Sequence, residues 1–143
     1  MKRPKEGKPY FIAVDTMTDN MGCEHTYEAL WHINEPSATI DGERIVADSV
    51  TLFTYGFDSL ECICGSEEPF QGWLSRSCNQ GAQYPAPTVI AKKRGKDTSF
   101  VTLIAPNTAD EISVSAVSYD DDVVTVKYTS GESETVDLSA LRA

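Results

Sequence analysis

The chain has 143 residues, 41% of them hydrophobic and 24% charged, with a formal net charge of −10. That length suits one domain with a core that needs no disulfide or metal to hold it. The negative charge repels phosphate backbones and excludes nucleic acid as an expected partner, and no apolar run approaches the ~18 residues of a membrane helix.

In chain order, residues 1–7 form a polar arm, with basic Lys2, Arg3 and Lys5 solvated rather than assembled into a patch. Residues 8–143 are expected to form the folded domain. Tyr10-Phe11-Ile12-Ala13-Val14 is a short apolar run of the kind a buried strand uses. "HTYEALWHI", residues 25–33, holds both histidines of the chain. As a strand it places His25, Tyr27, Ala29, Trp31 and Ile33 on one face and Thr26, Glu28, Leu30 and His32 on the other. The histidines are an odd number of residues apart, so they point to opposite sides and cannot share a metal without a bulge between them. Gly22 before the segment and Pro36 after it favour strand over helix.

Asp41-Gly42 inside "ATIDGERIVA" is a hairpin signal. "SVTLFTY" (49–55) is rich in β-branched and aromatic residues. In "LECIC" (60–64), Leu60, Cys62 and Cys64 share one face. Residues 65–86 are dominated by Gly, Ser, Pro and Gln and read as a long irregular loop, a frequent place for function. "PTVIAKKRGKDTSFVTLIAP" (87–106) is two strand segments around a polar turn, and 110–139 reads as three short strands. In that last region Ile112, Val114 and Ala116 share parity, as do Val124, Val126 and Tyr128, the pattern of half-buried antiparallel strands. The expected fold is therefore all-β, an antiparallel β-sandwich of stacked sheets.

The chemistry-bearing residues are sparse. Cys23, Cys62, Cys64 and Cys78 include one Cys-x-Cys and two scattered members; free thiols fit this spacing best, with a disulfide and a structural zinc as open alternatives. No nucleophile elbow or phosphate-binding glycine loop is present. Acidic pairs such as Glu67/Glu68 and Asp121/Asp122 sit in apparent turns. No catalytic residue, metal ligand or cofactor is expected. The loop "QGWLSRSCNQGAQYPAP" instead offers Trp73, Arg76 and Tyr84, and flat aromatic faces and a guanidinium suit sugar rings and their substituents. With Trp31 and His32 they make the candidate carbohydrate-binding set.

The order of "KPYFIAVDTMT" (8–18), "HTYEALWHI" (25–33), "QGWLSRS" (71–77), "PAPTV" (85–89) and "SFVTLIAP" (99–106) resembles the C-terminal β-sandwich region of heparinase II/III-like polysaccharide lyases, which include alginate lyase relatives. The resemblance covers most of residues 8–106. Asp15 matches the family's "VD" position and Trp31-His32 its "WH", while Thr16 stands where the family has arginine. The resemblance implies an N-terminal (α/α) toroid as the partner domain, β-elimination of acidic polysaccharide by residues of that toroid, and a secreted or periplasmic location. On that view this chain supports the catalytic domain, is inactive alone, and contacts glycan through residues 71–84. An independent carbohydrate-binding module and a structural or interaction sandwich are the alternative functions.

Overall fold

A computed structural model of the chain describes residues 9–75, 81, 83–107 and 114–141. The arm, Arg76 and Cys78 lie outside the described residues, as does Ile112. The described residues form fifteen strands and one short 3-10 turn. The strands are β1 (Phe11–Met17), β2 (His25–His32), β3 (Thr39–Asp41), β4 (Arg44–Val46), β5 (Val50–Tyr55), β6 (Ser59–Ile63), β7 (Ser66–Glu67), β8 (Phe70–Gln71), β9 (Trp73–Ser75), β10 (Gln83–Pro85), β11 (Thr88–Gly95), β12 (Thr98–Pro106), β13 (Val114–Asp120), β14 (Val123–Tyr128) and β15 (Ser133–Asp137). The all-β expectation holds, and the pairings are antiparallel.

Three sheets stack. The central one has the order β1-β12-β5-β4-β3; one outer sheet is β2-β11-β6 and the other is β13-β14-β15. The register explains why the central strands carry nearly continuous apolar runs. Leu52 pairs with Ile104 and Phe53 with Leu103, so consecutive residues serve opposite faces. Phe53, Val101, Leu103 and Ala105 pack with Val114, Val117, Val124 and Val126 of the C-terminal sheet. Ile45 and Leu52 pack with Val89, and Trp31, Cys62 and Ile104 pack against them, on the other side. A strand buried on both faces loses the apolar–polar alternation of a surface strand. Its polar residues then need internal partners. Thr51 Oγ1 donates to Asn107 Oδ1 at 3.0 Å, and Thr54 Oγ1 to the Glu43 carbonyl at 2.8 Å.

Chain crossings between layers rest on tight turns. Gly56, with φ +92°, leads from β5 in the central sheet to β6 in the outer one. A Cβ there would lie 2.8 Å from the Ser99 carbonyl oxygen, so only glycine fits. Just beyond, the Asp58 carboxylate accepts from Lys93 Nζ and from the Arg94 backbone N–H, both at 2.8 Å.

Three local expectations are corrected. The hairpin at 38–47 forms, but its two central residues are Gly42 and Glu43, since Asp41 still pairs with Arg44. Gly42 has φ +61°, which suits the first central position of a type II′ turn. Residues 65–86 are not one irregular loop, because two small ribbons occur there, β7-β8 and β9-β10. The shared parity of Val114 and Ala116 breaks at a register shift between them. That bulge makes Val114 and Val117 the inward pair.

Candidate functional site

The segment 25–33 is a strand as far as His32, with its inward positions Tyr27, Ala29 and Trp31 half-buried and the alternate positions exposed. The histidines sit at its two ends. His25 Nε2 lies 2.9 Å from Asp19 Oδ1; its side chain is 47% exposed and that of Asp19 only 5%. The His25 hydrogen bond, aided by the backbone N–H groups of residues 21–23, holds the Asp19 carboxyl below its ordinary value of 3.8, against the opposing effect of burial. This pair ties down the loop before β2. His32 does different work: its Nδ1 lies 3.0 Å from Oγ1 of the buried Thr88, so Nε2 is the ring nitrogen left to face outward.

Where β2 ends, a cavity of about 370 Å³ opens between it and the β4–β5 region. This is near the low end of the ~300–1,000 Å³ typical of ligand sites. Trp31, Leu52 and Ile104 give it apolar lining; His32, Asn34, Glu35 and Ser49 give it polar groups. The Tyr84 hydroxyl donates to Asn34 Oδ1 at 2.5 Å, which joins β10 to the same site. Trp31, His32 and Tyr84 are thus gathered by the fold. Trp73 is not among them. Trp73 opposes Pro85 while Tyr84 opposes Leu74, so the two aromatics leave opposite faces of their ribbon. Trp73 instead lies parallel to Phe70 and donates from Nε1 to the Ser66 carbonyl at 2.8 Å.

Two features define what the cavity can do. The Glu35 carboxylate accepts from the Ser49 hydroxyl and from the backbone N–H groups of Ser49 and Asp48. The hydroxyl contributes most to pulling its pKa below the ordinary 4.5. A carboxylate so satisfied is a weak proton acceptor and serves as a clamp on the 47–50 turn. The Trp31 indole Nε1 is sealed from solvent and has no hydrogen-bond partner among the described residues. It therefore offers a ligand its apolar face rather than its donor.

Sequence reasoning missed Asn34, Glu35 and Ser49. Asn34-Glu35-Pro36 directly after an apolar strand was a readable turn signal, whereas the approach of Ser49 depends on the 47–50 turn folding back and has no local mark. The cationic run of β11 is already engaged. Lys92 Nζ lies 3.4 Å from Glu28 and 3.8 Å from Glu61, Lys93 is 2.8 Å from Asp58, and Arg94 is 3.0 Å from Glu24.

Among the described residues no group of three or more His, Cys, Asp or Glu side chains could hold a metal ion, and no helix is long and apolar enough to cross a membrane. Cys23, Cys62 and Cys64 are free thiols; half-buried Cys62 has its pKa pushed up by desolvation and by neighbouring Cys64. In comparisons with known proteins, no family model, no curated protein and no solved structure matches the chain.

Proposed function

We propose that the chain is a non-catalytic β-sheet module of a heparinase II/III-like polysaccharide lyase. It buttresses the catalytic toroid and lends one wall to the glycan cleft. The supporting observation is that three of the stretches carrying the resemblance, 25–33, 71–77 and 85–89, distant in sequence, meet at one place. The Ile33 N–H donates to the Pro87 carbonyl at 2.9 Å, the Ala86 N–H to the Gly72 carbonyl at 2.8 Å, and Tyr84 reaches Asn34. In the proposed assembly the toroid performs the elimination, removing the proton next to a uronate carboxylate. His32, Asn34 and Tyr84 hydrogen-bond glycan hydroxyls, and Trp31 packs beneath.

The test is lyase assay of the complete natural polypeptide with and without residues 8–143, on alginate, heparan sulfate and chondroitin. Unsaturated uronic products that depend on the intact module support the reading. No elimination by the complete polypeptide, or elimination by this chain alone, overturns it. The presence of Trp31 and His32 in one cavity, with Tyr84 bonded to its lining residue Asn34, also favours a second reading, an independent carbohydrate-binding module. Glycan titration of the parent chain and of His32→Ala separates the two, since only the second requires saturable binding that depends on this cavity without a partner domain.

A further inference from the structure

The β7-β8 ribbon carries a feature that the cavity at the end of β2 does not use. Phe70 is 62% exposed, and its ring is parallel to that of Trp73 within 3°, with centroids 5.8 Å apart. Glu67 is the direct cross-strand partner of Phe70. Directly opposed residues of an antiparallel pair project to the same face, so a carboxylate stands beside the exposed ring.

The mount under this ring is fixed. Trp73 Nε1 is tied to the Ser66 carbonyl at 2.8 Å. The Gly65 and Ala86 N–H groups both donate to the Gly72 carbonyl, at 2.9 and 2.8 Å. Gly72 has φ +80°, and a Cβ on it would fall 2.6 Å from the Ile63 carbonyl oxygen. The Trp73 platform beneath Phe70 is therefore held in place before any ligand arrives, which lowers the entropic cost of binding.

We propose that Phe70, backed by Trp73 and flanked by Glu67, binds an uncharged pyranose ring of a glycan. The C–H face of the sugar would stack on Phe70, and neighbouring hydroxyls would donate to the Glu67 carboxylate. Three points select this ligand. A flat apolar face beside a hydrogen-bond acceptor matches a sugar's apolar face and hydroxyl rim. Parallel rings do not enclose a cation as an aromatic cage does. Glu67 and the adjacent Glu68 repel uronate and sulfate groups at this site. The site stands apart from the lyase reading, because it is tested on this chain without any other domain.

The experiment is calorimetric titration of the 143-residue chain with cello-, manno-, galacto- and xylo-oligosaccharides, and with oligouronates as the charged arm. At least one neutral series is expected to bind with millimolar or better affinity, and the oligouronates more weakly. Phe70→Ala should weaken that binding roughly tenfold or more, the loss of an aromatic stacking contact. Glu67→Gln should weaken it several-fold, and circular dichroism should show the parent fold in both variants because both side chains are exposed. Absence of binding by every neutral series, binding indifferent to Phe70→Ala, or oligouronate binding as tight as neutral binding would each overturn the proposal. None of these outcomes bears on whether the complete polypeptide eliminates uronates.

Discussion

Trp31 brings a large apolar surface to the space between two sheets but encloses its one donor without an acceptor among the described residues. An unmet buried donor costs about 1–3 kcal/mol. Trp31→Phe removes the donor and keeps most of the packing, so its unfolding free energy in urea should stay within about 1 kcal/mol of the parent. Trp31→Ala should cost about 3 kcal/mol, because it empties the same wall. A Phe variant as damaged as the Ala variant would mean that the N–H has a partner after all. Three carboxylates make a second residue-scale prediction. Asp19, Glu35 and Asp58 are all held below their ordinary values, chiefly by hydrogen bonds to His25, to Ser49 and to Lys93 respectively. A group whose folded pKa is depressed contributes stability above its unfolded pKa and loses it as pH falls through the folded one. Stability to urea should thus be level from neutral pH to about 5 and fall below about 4. Glu35→Gln should be less stable at neutral pH and show a shallower acid decline; an unchanged acid limb would count against the clamp.

At the scale of strands and turns, what was legible depended on whether one local pattern decided the outcome. The strand nature of 25–32 followed from alternation and its flanking breakers, and parity put His32 on the face opposite Trp31, whereas its bond to Thr88 depends on the partner strand and has no local mark. The 49–55 and 99–106 runs were readable as strands from their β-branched and aromatic residues. What they could not reveal was their depth, since Leu52 and Phe53 look alike in sequence yet serve different layers. The bulge beside Ala116 and the one-residue shift of the Gly42-Glu43 turn were hidden for another reason: register depends on the partner strand. The small ribbons of 66–85 were missed because two- and three-residue strands are too short to show a period. Those ribbons depend on one glycine. Gly72→Ala combines a left-handed φ with backbone contacts below 3.0 Å, and should lower stability by about 1–3 kcal/mol or more. It should also alter the environment of Trp73, read by fluorescence. By contrast, Leu103→Ala leaves every turn intact and acts through the core, where a fully buried leucine costs about 2–5 kcal/mol to truncate.

For the whole molecule, 22 acidic residues face 12 basic ones, so the ion pairs around β11 leave most of the acidic surface uncompensated. Exposed pairs of that kind contribute only about 0–1 kcal/mol each, whereas self-repulsion acts on every surface carboxylate. Raising salt from low concentration to about 0.2 M shortens the reach of that repulsion, and the thermal midpoint should rise; a falling midpoint would show that the pairs outweigh it. The layering has its own reading at this scale. The candidate cavity and the exposed Phe70 belong to the side built from β2, β11 and the small ribbons, while β13-β14-β15 covers the far side of the central sheet.

The doubly covered position of β5 and β12 also ranks the backbone by its access to deuterium. Amides of those two strands are shielded from above and below and paired along both edges, so their protons should leave only when the entire stack comes apart. Those of β15 and β3, each bonded along one edge, should be replaced first, and the interval between the two sets would measure how far the layers peel separately before the middle yields.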